Sequence, residues 1–337
     1  MGVKVGDIIP KEDISWDDLK GKVLAVDSSN MLYQFLSSIR QRDGTPLMDS
    51  DGNVTSHLVG LFSRIPNLME KGIKLVFVFD GKPPELKYAE QSSRRERKKE
   101  AEEKYEAAAE EDDVEAMLKY SKRSMHLTKE MNEEAKELLT AMGLTVVQAP
   151  SEADAQMAYM NKQGDVWACA TSDFDPLLHK APRVIRNLTL SQKKKLPGGG
   201  YAQVHPQLIE LKEVLKELEL DHDQLIVFAI LIGTDYNPGG IKGIGPAKAL
   251  KLVQSDKKFK EIFEEAGAEF DWEEIMDTFK KMPVEKDYKI EFNEPDEDKI
   301  KKMLLKHDFS EERIDKTLER MRNTGRDKAQ KGLNEFF

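Results

Sequence analysis

The sequence predicts an α/β fold: a mostly parallel central sheet flanked by helices. Three observations carry this. Val23–Val26, Leu75–Phe79, Leu144–Val147 and Val166–Ala170 are continuous apolar runs, as expected of strands covered on both faces. Helical stretches separate them, the pattern of a parallel sheet built from crossovers. Each run also leads into carboxylates: Asp27, then Asp80, then Glu152 and Asp154 beyond Pro150, then Asp173 and Asp175.

Taken in order, the first strand is expected at Lys22–Asp27 and a helix from about Ser29 to Arg40. The Asp43-Gly44 and Asp51-Gly52 pairs mark turns. Thr55 or Ser56 is placed to cap a helix running to Glu70. The second strand ends at Asp80, and Pro83-Pro84 stops regular structure. Glu90 to Tyr120 is almost entirely Glu, Lys, Arg and Ala, with strong helix propensity but little apolar surface to bury. It reads as a helical protrusion above the strand edge, whose first turns hold Lys87, Arg94, Arg95, Arg97, Lys98 and Lys99.

Residues 131–190 return to α/β, with a helix to Ala141, the third strand, a helix start that Ser151 can cap, and the fourth strand. Lys193 to Gly200 reads as a loop, and the pattern beyond Val204 as helical. Leu225 to Ile232, the longest apolar run, reads as a buried helix. Gly239 to Gly245 is a glycine-rich hairpin leading to a helix with Pro246 in its first turn. Backbone amides at Gly243 and Gly245, beside Lys242 and Lys248, suit a phosphate. Residues 322–330 are polar, include Gly325 and read as a flexible tether.

The chain has 337 residues, 34% of them charged, and a formal net charge of −10, which argues against a generic nucleic-acid coating protein but permits local basic patches. No run approaches the length of a membrane span. The start of the chain carries no signal-peptide pattern, and Gly6 stands where a myristoylation signal needs Ser or Thr. The single Cys169 allows no internal disulfide, which favours a reducing, intracellular setting (cytoplasm or nucleoid, or nucleus).

In open α/β sheets, ligands bind outside the carboxyl ends of the strands. The acids above therefore collect at one edge. Like charges packed that closely raise each other's pKa unless a cation compensates. Hard divalent ions take oxygen ligands, and Mg²⁺ fits best. The expectation is a metal-dependent enzyme acting on phosphate.

The whole constellation resembles the flap endonuclease family, structure-specific 5′ nucleases of DNA replication and repair. The matching stretches are Val26-Asp27-Ser28-Ser29, Tyr33-Gln34-Phe35-Leu36, Thr55-Ser56-His57-Leu58 and Val78-Phe79-Asp80-Gly81-Lys82-Pro83-Pro84, then Ala149-Pro150-Ser151-Glu152-Ala153-Asp154-Ala155, Thr171-Ser172-Asp173-Phe174-Asp175, Gly233-Thr234-Asp235-Tyr236 and Gly243-Ile244-Gly245-Pro246. Their shared order and spacing make the resemblance specific.

The resemblance implies a PIN-like 5′ nuclease fold with an inserted helical arch and a C-terminal helix–two-turn–helix. The expected divisions are 1–85 and 131–235 for the nuclease core, 86–130 for the arch, 236–321 for the hairpin and following helices, and 322–337 for a tail. It implies two Mg²⁺, with Mn²⁺ as a substitute, held by Asp27, Asp80, Glu152, Asp154, Asp173, Asp175 and Asp235. In the family pattern Asp80, Glu152 and Asp154 serve mainly one metal, Asp173 and Asp175 the other, and Asp27 and Asp235 act through water. Asp154 departs from the family, which usually has Glu there.

Lys87 and Arg94 match the arch-base pair that contacts the scissile phosphate. Tyr33 matches an aromatic that stacks near the cleaved nucleotide, set against the plain reading of a core aromatic. Arg40 and His57 fall in matching stretches as structural or DNA-positioning residues, and Gly2 is expected close to the site. Residues 236–249, with Lys242, Gly243, Gly245 and Lys248, match the duplex-holding hairpin, with a monovalent cation on the carbonyls of Ile241 and Ile244. Gln330, Leu333, Phe336 and Phe337 resemble a sliding-clamp-binding peptide. The implied activity is 5′ flap endonuclease and 5′→3′ exonuclease by a monomer on branched DNA, with roles in Okazaki fragment maturation and repair and no membrane. The rivals are a related 5′ nuclease, a clamp-recruited junction scaffold, and an aspartate phosphatase. The last wants Asp-x-Asp after strand one, where this chain has Ser29.

Overall fold

A computed structural model describes residues 8–41, 44–110, 113, 116, 120, 125–188, 193–195, 199 and 201–334. One seven-stranded sheet organises them, with strands β1 (Glu12–Asp13), β2 (Val23–Asp27), β3 (Lys74–Phe79), β4 (Thr145–Gln148), β5 (Ala168–Ala170), β6 (Arg183–Arg186) and β9 (Gln207–Glu210). The order is β1-β9-β6-β5-β2-β3-β4. Strands β2 to β6 pair in parallel, and β9 and β1 complete one edge antiparallel. A two-stranded hairpin, β7 (Lys193–Lys195) with β8 (Tyr201–Gln203), stands apart.

Burial explains the continuous apolar runs. Ala25, Val76, Val78, Cys169 and Val184 face one core, and Leu24, Val26, Leu75, Phe77 and Ile185 face the other. The first core is closed by helices Ala153–Gln163 and His222–Ile232, the second by Ser28–Ser38, Ser56–Glu70 and Lys129–Ala141. Both faces of the sheet are covered, so no strand needs a polar side. At the β4 edge a strap runs alongside: Thr145 Oγ1 donates to Glu291 O at 2.5 Å, and Asn293 N to Gly143 O at 2.9 Å. It covers an edge that would otherwise present unpaired backbone.

The structure corrects several expectations. Residues 193–195 form a strand of the β7–β8 hairpin rather than a loop. Gln207–Glu210 is a strand, although the pattern beyond Val204 looked helical; its pairing with β6 overrides local propensity. Ser151 does not cap: its hydroxyl donates to Lys82 O at 3.0 Å, and Glu152 holds the N-cap position. Neither Thr55 nor Ser56 caps through its side chain; Ser56 Oγ instead donates to Ile39 O at 2.8 Å. The helix Glu311–Asn334 runs through the expected tether, which despite Gly325 has no proline to stop it.

The strand order reverses between β2 and β5, since β3 and β4 lie on one side of β2 and β5 and β6 on the other. That reversal puts a crevice at the carboxyl ends of β2 and β5, where open α/β sheets bind ligands. Among the described residues no helix is long and apolar enough to cross a membrane.

Candidate active site

Six of the seven predicted acids sit at or just beyond the carboxyl ends of parallel strands. Asp27 is the last residue of β2 and the N-cap of helix Ser28–Ser38: its Oδ1 accepts from Asn30 N at 2.9 Å. Its Oδ2 accepts from Thr171 Oγ1, beyond β5, at 3.1 Å. Asp80 follows β3, accepting from Ser29 Oγ at 2.6 Å and from Ala153 N at 2.8 Å. Glu152 and Asp154 flank the first residue of helix Ala153–Gln163. Asp173 accepts from Asn30 Nδ2 at 3.2 Å, and Asp175 begins the short helix Asp175–Leu178. Asp235, the seventh, arrives from the turn after helix His222–Ile232.

These carboxylates are compensated unequally. Lys87 Nζ donates to Glu152 Oε1 and lies 3.2 Å from Asp235 Oδ2. Arg94 Nη2 donates to Asp235 Oδ1 at 2.8 Å and its Nε to Glu90 Oε1. Burial would raise Asp235, but Lys87 and Arg94 outweigh it and hold the carboxyl below its ordinary range. Burial would likewise lower Lys87, but Glu152 and Asp235 raise it overall, so it is a firm cation. Among the described residues neither Asp27 nor Asp154 forms a direct ion pair with a Lys or Arg. Burial, then Asp80 and Asp173, push Asp27 up to about 7 despite its hydrogen bonds. Burial, then Asp27, Asp175, Asp173 and Glu152, raise Asp154 well above a normal carboxyl.

Asp154 tests whether a metal fits. Its Oδ1 is buried without a hydrogen-bond partner, and four acids raise its pKa. A buried anion in that position lacks a cation, and an all-oxygen donor set suits Mg²⁺. Among the described residues no three carboxylate, His or Cys side chains close into a chelating group. Glu152 and Asp235 are turned instead to Lys87 and Arg94.

A cleft of about 620 Å³ opens beside Asp27 and Asp173, lined also by Asn30, Tyr33, Lys98 and Arg186. Tyr33 is exposed rather than a core aromatic; Lys98 Nζ lies 3.2 Å from its hydroxyl and 4.8 Å from its ring centre. Arg186, at the end of β6, lies with Cζ 4.5 Å from the Phe174 ring centre and donates to Ser172 O at 3.0 Å. Sequence reasoning missed Asn30 and Arg186, which line the cleft. Asn30 had a usable signal, one turn beyond Asp27. Arg186 had none, because β6 was not read as a strand.

The remaining predicted residues lie outside this acid cluster. Arg40 ties the end of its helix to the following loop, donating to Leu36 O at 3.1 Å and Gly44 O at 2.6 Å. His57 is fully buried, with Nε2 3.0 Å from Glu134 Oε2. In the hairpin, Lys242 and Lys248 are exposed while Ile241 and Ile244 are buried, and Ile241 O accepts from Ile244 N at 3.0 Å. Gly240, at φ +61°, packs so closely that a Cβ would stand 2.4 Å from the Ile232 carbonyl carbon. Helix Pro246–Val253 then starts with Gly245 at its N-cap. Gly2, Phe336 and Phe337 lie outside the described residues, and Gln330 and Leu333 fall on the described backbone of the last helix.

Comparison with known proteins agrees over the whole chain. Residues 1–101 match the XPG N-terminal domain and residues 143–235 the XPG I-region. Flap endonuclease 1 of Pyrococcus furiosus is 50% identical over 339 aligned residues, covering 100% of this chain and 99% of its own. The structure of flap endonuclease-1 from Methanococcus jannaschii superposes with a TM-score of 0.78 at 44% identity, over 97% of this chain and all of that one. The catalytic core of Rad2, solved in complex with DNA substrate, shares the fold at 24% identity and a TM-score of 0.69, over 95% of this chain and all of that one.

Proposed function

The chain belongs to the flap endonuclease family, and from that premise we propose how its acid-lined sheet edge cleaves DNA. It is a structure-specific flap endonuclease. The observation that carries the reading is Asp154 Oδ1, buried without a hydrogen-bond partner among like charges. Asp80, Glu152, Asp154, Asp173 and Asp175 would hold two Mg²⁺, with Asp27 and Asp235 acting through water. When bound, the ions supply Lewis-acid activation of the attacking water and neutralise charge on the phosphodiester.

The chain's own residues do the rest. Lys87 and Arg94 stand at the base of helix Tyr88–Glu110, already directed at Asp235. From there they would hold the scissile phosphate and stabilise its developing charge. Asn30 aligns Asp27 and Asp173 with each other. Tyr33, exposed beside the cleft, offers a stacking face to the nucleotide next to the cut. Lys242, Gly243, Gly245 and Lys248 would grip duplex phosphates, which carry no sequence information, so specificity follows DNA structure. A monovalent cation on the Ile241 and Ile244 carbonyls belongs to this same proposal, as do a 5′→3′ exonuclease activity and clamp recruitment through residues 330–337.

Hydrolysis of this kind leaves a 5′-phosphate and a 3′-hydroxyl. The test is a double-flap substrate cut in Mg²⁺ and then offered to a DNA ligase. Sealing of the nicked product without added kinase or phosphatase is the expected result. Cleavage products that no ligase can join would refute the assigned chemistry.

A further inference from the structure

The turn after helix His222–Ile232 delivers two side chains to the acid edge, and the ligand set uses only Asp235. Its shape is fixed by buried polar contacts. Thr234 Oγ1 donates to Asn237 Oδ1 at 2.7 Å and accepts from Tyr236 N at 3.1 Å. Asn237 Nδ2 donates to Ile230 O at 2.7 Å. With Asp235 turned toward Lys87 and Arg94, Tyr236 turns inward and is 7% exposed. Its ring meets Phe279 edge-on, with centroids 5.0 Å apart. Its hydroxyl donates to Glu152 Oε2.

The two oxygens of Glu152 therefore have different partners. Oε1 faces the ammonium of Lys87, which Asp235 shares. Oε2 meets a neutral phenol on a two-torsion side chain, packed against Phe279 and rooted in a buried turn. Such a donor can fix the plane of a carboxylate without competing for it as a cation.

We propose that Tyr236 is a positioning residue for Glu152, holding one carboxylate oxygen so that the other is presented to a cation. That cation is Lys87 in this structure and a divalent ion in the loaded enzyme. The inference rests on the reading of Glu152 as a metal ligand. Hydrogen-bond partners of ligating side chains typically contribute about 10–100-fold in metal affinity.

The experiment is Mn²⁺ binding to the DNA-free protein, read by electron paramagnetic resonance of the free ion. Tyr236→Phe keeps the ring and loses only the hydroxyl. It should weaken Mn²⁺ binding by roughly tenfold while the melting temperature and flap-DNA affinity stay unchanged. In a Glu152→Asp background, whose shorter side chain leaves the hydroxyl's reach, the same change should add nothing. Wild-type Mn²⁺ affinity in Tyr236→Phe overturns the proposal. So does an equal loss in the Glu152→Asp background, which would mark a purely structural role. Tyr236→Leu, also without the hydroxyl, must weaken binding at least as much; a loss confined to whichever variant melts early counts against the proposal. Glu152→Gln run in parallel separates the two readings: if it binds Mn²⁺ normally, Glu152 is no ligand and the underlying assignment fails instead.

Discussion

Arg94 and Asp235 stand 141 positions apart in the chain and meet at 2.8 Å, Nη2 to Oδ1. Lys87 lies 3.2 Å from the other oxygen of the same carboxylate. The start of helix Tyr88–Glu110 is thereby pinned to the acid edge.

Lys87→Ala and Arg94→Ala are each expected to lower single-turnover flap cleavage by roughly 10²-fold, the scale of a lost transition-state charge partner. Duplex affinity, spread over many backbone contacts, should change far less. Equal losses in rate and affinity would make these residues ordinary phosphate anchors.

Asp175→Asn should reduce cleavage by at least about 10²-fold, because it removes a carboxylate from the proposed metal-holding set. Binding of flap DNA should persist. Cleavage within about threefold of wild type at saturating Mg²⁺ would remove Asp175 from the site.

The metal-free protein should lose stability as pH rises. Asp27 is pushed up to about 7 by burial and by Asp80 and Asp173, against an ordinary 3.8. A carboxyl raised on folding favours the fold while protonated. That contribution is complete below the ordinary value and is lost as pH rises through about 7. At pH 8 without metal, Asp27→Asn is therefore expected to melt roughly 2–5 °C above wild type, and the gap should close at pH 4. A variant that melts lower at pH 8 would show that Asp27 carries no such burden.

The parts of this molecule legible in the sequence are those written in local pattern. β2 and β3 are buried on both faces, so Val23–Val26 and Leu75–Phe79 declare themselves by composition alone. The acids after them follow from the geometry of open sheets. β1 and β9 are short and partly exposed, and exist only through each other and β6, which no local window reveals. The caps misread because Ser56 and Ser151 spend their hydroxyls on distant carbonyls, Ile39 and Lys82. Tyr236 was visible as a motif residue, but its meeting with Glu152 spans 84 positions and depends on how the turn is folded.

The C-terminal octapeptide Gln330 to Phe337 carries a prediction of its own. Phe336→Ala with Phe337→Ala should abolish stimulation by a cognate sliding clamp and leave clamp-free cleavage intact. Aromatic anchors in an apolar pocket would supply the affinity, and attachment raises the local enzyme concentration at the clamp. Titration of the clamp against the double variant checks this: undiminished binding would place the clamp site elsewhere.

The central claim is that the strand-end acids hold divalent ions that carry out the hydrolysis. The most direct measurement is the single-turnover cleavage rate of a 5′-labelled double-flap substrate across a Mg²⁺ titration, beside the same reaction in chelator. The expected result is no cleavage in chelator, a rise to saturation with Mg²⁺, and incision near the base of the flap. Cleavage that persists at full rate in chelator would contradict the account.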